Sequence, residues 1–371
     1  MQNKEKKPNT LRFLSLPVDQ GGCGWYRIRQ PFNEILQHTE HDAYVVDTEK
    51  DDMQEVYKAM MIADVIVIRQ GGEAGRRQLL EKYPEIKAKW VLDIDDNIEI
   101  ISPYSEHYKD YGVREYHDKY LKRDIWKDGE NGFNSVDNQA KVDSLLKGME
   151  EVDLITVTTP YLAEYAKKYN KNVKITPNCI NHDHWWKLNL KSNKKLRVGW
   201  SGGVSHYEDW YAIRKPLNAL LKEFDFTLVM VGSHYGGLID KENRDKVELH
   251  PWLPFKGHSY RMMALALDIA IIPLADLPFN YYKSPIKWYE MSSMGVPSVV
   301  SGITPYKEVI KEGKTALTYK TTKQFSKALR TLLTKPALRK KLGFNARKWV
   351  KDNRDSKKCA SIFIDAYQSI L

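Results

Sequence analysis

Twelve short strand-like runs, most of them alternating with stretches of helical character, restrict this sequence more than any other feature. They fall at residues 11–16, 43–46, 64–68, 90–93, 153–157 and 173–176, and again at 196–200, 226–232, 247–250, 269–274, 297–301 and 316–319. Runs of four to seven apolar, often β-branched residues, regularly separated by helix-length segments, are the pattern of parallel strands buried on both faces. Six such units, then six more, predict two doubly wound α/β domains rather than one long sheet. The chain's 371 residues are enough for two full cores. The expected boundaries are 1–180 for the first domain, 181–195 for a linker carrying His182, His184, Trp185 and Trp186, and 196–345 for the second. A last helix at 346–371 is expected to cross back to the first domain. Paired domains of this kind are expected to hold a cleft between the carboxyl edges of their sheets.

Candidate ligand-binding residues sit where strands end. In the first domain, strand 11–16 runs into Gly21, Gly22 and Gly24, with a helix expected from about residue 25 to 36 that opens with Tyr26 and Arg27. Glycines there let a backbone approach a ligand closely, although a plain tight turn has the same composition. The spacing does not fit G-x-G-x-x-G, and no Walker lysine follows. Strand 90–93 ends in Asp93, Asp95 and Asp96, carboxylates at a strand's carboxyl end, which read either as ligand contacts or as caps of the next turn. Residues 99–138, rich in Tyr, His, Asp and Lys, exceed an ordinary connection and are read as an acceptor-side excursion carrying His107.

The second domain concentrates the stronger signals. Its first strand leads into Ser201-Gly202-Gly203-Val204-Ser205-His206, and its second ends at Gly232. Between strands 269–274 and 297–301 lies Asn280-Tyr281-Tyr282-Lys283-Ser284-Pro285-Ile286-Lys287-Trp288-Tyr289-Glu290. Ser284 is expected as an N-cap and Pro285 as the first helical residue, with the helix ending at Gly295. Lys283, Lys287 and Glu290 then share one face. Two lysines at a helix start oppose the dipole unless an anion sits there, so a diphosphate is the expected ligand; a solvated charged face is the ordinary alternative. Pro305 and Tyr306 follow the next strand and are candidates to line the same pocket, or in the case of Tyr306 simply to pack.

Bulk properties narrow the classes. Hydrophobic content of 42% and charged content of 29% describe a globular protein, and no apolar run approaches the length of a membrane span. The start, Met1 to Pro8, lacks the apolar core of a signal peptide. Cys23, Cys179 and Cys359 are scattered with neither a disulfide framework nor metal spacing, which suits a reducing cytoplasm. The formal charge of +10 favours polyanionic company. No metal site is expected.

In their order, the glycines of the first domain, Asn178 and Trp186 of the linker, Gly199-Trp200-Ser201-Gly202-Gly203, Gly232, Pro273-Leu274, Lys283-Ser284-x-x-Lys287-x-x-Glu290 and Gly295-Val296-Pro297 resemble the GT-B glycosyltransferases. Within these the chain is most similar to retaining family-4-type enzymes that use nucleotide-diphosphate sugars, over residues 11–350. The resemblance implies a UDP- or GDP-sugar donor in the second domain, no required cofactor, and an acceptor on the side of Gly21, Gly22, Tyr26, Arg27 and Asp93. It implies a donor set of Gly202, Gly203, His206, Gly232, Asn280, Lys283, Ser284, Lys287, Glu290, Pro305 and Tyr306. Glu290 matches the second acid of the family's E-x7-E motif, expected on the donor ribose. The first acid falls on Tyr282, a departure. Gly202, Gly203 and His206 stand where the family commonly has an Arg and a Lys. Lys287 is expected to stabilise the leaving diphosphate, and Asp95, Asp96 and His107 are the candidates for a base. The acceptor class stays open between a hydroxymethylated pyrimidine in viral DNA, which base flipping would expose, and a surface or lipid-linked glycan. A degenerate, nonenzymatic nucleotide-sugar or nucleic-acid binding module is the remaining alternative, Tyr282 being its main argument.

Overall fold

A computed structural model describes residues 10–119, 121–185 and 195–371. The chain divides into two units. The first comprises residues up to 101, 109–179 and 356–371; the second comprises 102–108 and 180–355. Trp186 and most of the expected linker lie outside the described residues.

The first unit is built on β1 (Arg12–Ser15), β2 (Asp42–Val45), β3 (Val65–Arg69), β4 (Lys89–Ile94), β7 (Leu154–Val157) and β8 (Val173–Ile175), with a separate hairpin of β5 (Tyr116–Asp118) and β6 (Arg123–Trp126). The main sheet has the order β2-β1-β3-β4-β7-β8 and all its pairings are parallel. The second unit's sheet is made of β9 (Leu196–Gly202), β10 (Phe226–Gly232), β11 (Val247–His250), β12 (Ile269–Ile272), β13 (Ser298–Ser301) and β14 (Leu317–Tyr319), in the order β11-β10-β9-β12-β13-β14, again parallel throughout. The strand order reverses at β1/β3 in the first sheet and at β9/β12 in the second, the crevice position where such sheets bind ligands. Each of the twelve expected strands forms, within two residues of its expected ends; the central strands are buried on both faces, while β2, β8 and β11 are only partly buried.

Four expectations are corrected. The glycines after β1 are not a loop before the helix. Gly22–Gly24 already form a helical turn, followed by a π-helical turn at Trp25–Arg29 and then the Gln30–His38 helix. Gly24 is required there, since a Cβ would lie 2.1 Å from the Asp19 carbonyl oxygen. The excursion at 99–138 is not one block: 102–108 belongs to the second unit, where Ser102 Oγ donates to the Glu208 carboxylate, while 109–138 stays with the first. The basic end of the chain is two helices, Pro336–Asn353 in the second unit and Ser356–Gln368 in the first, broken at Arg354–Asp355. The latter buries Phe363 and Tyr367 against Phe13, Ile28 and Phe32. That docking also overturns the reading of unpaired cysteines, for it joins Cys359 to Cys179 in a disulfide and leaves Cys23 free. A separation of 180 residues hid the pair.

Candidate active site

The carboxyl edge of the second sheet gathers most of the expected donor residues. β9 ends at Gly202 and β10 at Gly232, side by side in register. Gly232 has φ +94°, and a Cβ there would lie 2.5 Å from the Gly202 carbonyl oxygen and 2.8 Å from the Trp252 ring. Only glycine meets both conditions. Gly202 is equally constrained: a Cβ would sit 3.0 Å from Lys287 Cε and 2.5 Å from the Trp200 ring. The lysine stem thus lies over the glycine backbone. Gly203 has open space where a Cβ would be, and its carbonyl accepts from the Tyr235 hydroxyl.

Beyond Gly203 the chain enters the Tyr207–Glu223 helix, and His206 is buried at its start. His206 Nδ1 lies 2.5 Å from Asp209 Oδ2, while Asp209 Oδ1 accepts from the Ala275 amide at 2.6 Å and Asn280 Nδ2 at 2.9 Å. Burial, followed by the charges of Lys287 and Lys283, holds the His206 imidazole down to about 3. Burial works to raise the Asp209 carboxyl, yet the His206 hydrogen bond, Lys283 and the Ala275 amide leave it below the usual carboxylate range. An ionised Asp209 can only accept, so a neutral His206 donates from Nδ1 and keeps a lone pair at Nε2. Asp209 was not singled out in the sequence, although its position three residues after His206, in the first turn of a helix, was a visible signal.

The lysine-bearing stretch differs in detail from its expectation. Pro278–Tyr282 is a 3-10 turn, and the helix is Ile286–Ser293. Pro285, not Ser284, is the N-cap residue, and no side chain caps the helix. Ser284 cannot take that role because the helical bonds begin one residue later, with Trp288 and Tyr289 amides reaching the Pro285 carbonyl. Lys283 Nζ is buried with no hydrogen-bond partner and lies 5.0 Å from the centre of the Phe279 ring. Lys287, one turn on, bears on both His206 and His258. Glu290 is buried a further turn along. Tyr306 is buried near Glu290, Asp209 and Tyr319, and burial first, then those neighbours, pushes its hydroxyl up. Pro305 precedes it as the N-cap residue of the Tyr306–Val309 helix.

Two further side chains at this edge had no sequence signal. His258, buried in the Phe255–Ala264 helix, has its Nε2 3.4 Å from Ser201 Oγ, and burial, Arg261 and Lys287 hold it down to about 4. Trp252 stacks on His258 with ring centres 4.6 Å apart and remains 43% exposed. Trp185, the described part of the expected linker cluster, packs edge-on to Phe255 and His258.

The first unit uses its expected residues differently. Arg27 is fully buried and forms a two-pronged ion pair with Asp93, at 3.0 and 2.7 Å. It also donates to the Thr176 carbonyl and hydroxyl and to Asn178 Oδ1, and Thr156 Oγ1 donates to Asp93. These two residues, expected at the acceptor, are occupied by each other beneath the sheet edge, and Tyr26 is buried beside them. Asp95 instead pairs with Arg69 at 2.6 Å. Burial pulls Asp95 up, but Arg69 and a hydrogen bond from Cys23 leave it below the usual range, and the Asp95 charge in turn pushes the Cys23 thiol well up. Gly21 and Gly22 open this edge, and Asp96 follows Asp95 in the chain. His107 is exposed on the segment that belongs to the second unit, so the three candidate bases do not form one cluster within a unit. Among the described residues no group of three or more His, Cys, Asp or Glu side chains converges as a metal site.

Comparison with known proteins bears on the fold. Residues 219–349 match the family model for glycosyl transferases group 1. No curated protein matches the sequence. Among solved structures the chain is similar to sucrose-phosphate synthase from Thermosynechococcus elongatus, with 14% identity over 97% of this chain and 99% of that one and a TM-score of 0.64. It is similar to HepE from Anabaena, solved in complex with UDP and glucose, with 12% identity over 97% and 100% and a TM-score of 0.65. A glycosyltransferase from Rickettsia africae gives 14% identity over 98% and 99% and a TM-score of 0.62. At such identities these likenesses establish the fold, two Rossmann-like domains of the GT-B class. The part of the chain that matches the glycosyl transferases group 1 model lies in the second unit of that fold.

Proposed function

We propose that the second unit binds a nucleotide-diphosphate sugar at the carboxyl edge of β9, β10, β12 and β13, and that the enzyme transfers the sugar to a hydroxyl with retention and without a metal. The observation that carries this reading is the Lys283 ammonium, buried without a hydrogen-bond partner, beside Lys287 and a histidine held neutral. A buried ammonium with no hydrogen-bond acceptor is costly, and an anionic ligand would supply one. A diphosphate supplies that charge and gains more when it leaves the sugar, because breaking the glycosyl bond concentrates negative charge on it. Glu290 then holds the ribose, Gly202 and Gly203 let backbone amides approach the phosphates, and the exposed face of Trp252 takes the nucleobase by stacking. HepE was solved with UDP and with UDP-glucose, which supports a uridine donor for this chain as well.

The first unit serves the acceptor in this reading, with Asp95, Asp96, Gly21 and Gly22 at its carboxyl edge. In a retaining transfer the departing phosphate oxygen takes the acceptor proton, so the ion-paired Asp95 orients the acceptor rather than deprotonating it. A hydroxymethylated pyrimidine in DNA and a lipid-linked or surface glycan are the two acceptor classes to compare. Thermal shift with UDP-glucose and GDP-mannose, on the wild type and on Lys287→Ala, tests the donor assignment. A midpoint raised by either nucleotide sugar in the wild type and not in the variant is expected. Equal shifts in both proteins would remove the lysine from the donor site. The anomeric configuration of the product, read by NMR, decides retention.

A further inference from the structure

Positive charge is distributed very unevenly over this molecule. Between Lys307 and Asp352 there are fourteen Lys and Arg against three Asp and Glu. The rest of the chain has 44 basic and 45 acidic residues, so this one segment accounts for the whole formal excess of +10. The donor lysines, 283 and 287, lie outside it.

The Pro336–Asn353 helix organises the segment. Its inner face, Leu342, Gly343, Ala346 and Val350, is buried, with Gly343 seated so closely that a Cβ would lie 2.1 Å from the Gly295 carbonyl oxygen. Its outer face presents Lys340, Lys341, Phe344, Lys348 and Lys351, all exposed. Phe344 is 71% exposed, more than any other aromatic side chain among the described residues. At spacings of three and four residues it is ringed by Lys340, Lys341, Arg347 and Lys348. Asn345 donates to the Lys314 carbonyl and so brings the turn bearing the exposed Lys311 and Lys314 alongside. The carboxylates here are Asp352, which pairs with Lys348 at 2.9 Å with both side chains well exposed, a contact that salt weakens, and Glu312 of the adjoining turn, which accepts from the Thr318 amide.

We infer that this face of the Pro336–Asn353 helix docks the enzyme onto an anionic lipid bilayer, with Phe344 entering the headgroup boundary and the surrounding lysines on the lipid phosphates. An apolar ring standing in water within a ring of cations is the pattern of an interfacial helix: the ring gains by leaving water, and the cation stems reach back to the headgroups. A clustered basic surface adds about 1 kcal/mol of attraction per cation near an anionic membrane. A nucleic-acid duplex would use the same lysines but leaves the exposed phenyl ring without a role.

Co-sedimentation of the full-length chain with vesicles tests this without any sugar donor, so its outcome is separate from that of the transfer assignment. Binding is expected to vesicles of phosphatidylcholine with about a third phosphatidylglycerol, and not to pure phosphatidylcholine. Phe344→Ser should weaken it about tenfold and Phe344→Trp should restore it. Lys340→Glu with Lys341→Glu should weaken it by about a hundredfold or more. All these side chains are exposed, so thermal midpoints should stay where they are. Equal binding to both vesicle types, or no binding, would overturn the inference. So would binding to duplex DNA that needs the lysines while vesicle binding is indifferent to Phe344.

Discussion

The carboxyl edges of the two sheets handle buried charge in opposite ways. In the first unit Arg27 meets Asp93 along two prongs, and Thr156, Thr176 and Asn178 complete both groups. In the second unit Asp209 is spent on His206, Asn280 and the Ala275 amide, and the nearby Lys283 ammonium is left without a hydrogen bond. The first arrangement is complete in itself and stabilises the fold. The second leaves a buried ammonium without a hydrogen-bond acceptor. Charge at a strand's carboxyl end is therefore not by itself a sign of a site; what matters is whether the protein has already answered it.

Breaking the completed pair should have the largest effect. Arg27→Met leaves Asp93 buried without its ion-pair partner, and denaturant unfolding should show a loss of about 3–5 kcal/mol. Replacing both, with Asp93→Leu added, should recover most of it; if the double variant is no more stable than the single, the pair is not a self-contained structural unit. Next comes Lys287→Ala, which should lower the rate of transfer and of donor hydrolysis by about 100- to 1,000-fold with little change in stability. A rate within a few fold of wild type would place the diphosphate elsewhere.

The histidines sharpen the contrast through pH. His206 has its folded value lowered to about 3 and His258 to about 4, so between those values and the unfolded range near 6.5 the unfolded chain binds more protons. Stability should then fall as pH drops through that window, by up to about 1.4 kcal/mol per pH unit for each histidine. His206→Asn should flatten the slope; an unchanged slope in that variant would mean His206 is not held neutral. The smallest effect is expected from Lys283→Met. Removing a buried ammonium that has no hydrogen-bond partner should raise the thermal midpoint slightly, by about 1 kcal/mol of stability, while raising the donor KM. A lowered midpoint would show that the lysine is already answered within the protein.

Much of this was legible in the residues. The strands lay in local apolar patterns, and glycine placement and i, i+4 spacing picked out Gly202, Lys287 and Glu290 as candidates. Arg27 and Asp93 misled because a charged residue at a strand end looks the same whether its partner is a ligand or a side chain 66 residues away. Ser284 misled because a serine before a proline scores as a cap whichever residue makes the first helical turn. His258 and Trp252 carried no pattern at all; they reach the site through the packing of the Phe255–Ala264 helix.

Local sequence is enough for the two parallel sheets, because their central strands, buried on both faces, must be apolar whatever surrounds them. It also determined where the positive charge lies. Tertiary structure decided which charges are satisfied, which cysteines meet and which end of the chain belongs to which unit. Each of those depends on contacts between residues far apart in the chain, such as the 180 residues between Cys179 and Cys359, and no local pattern encodes the partner.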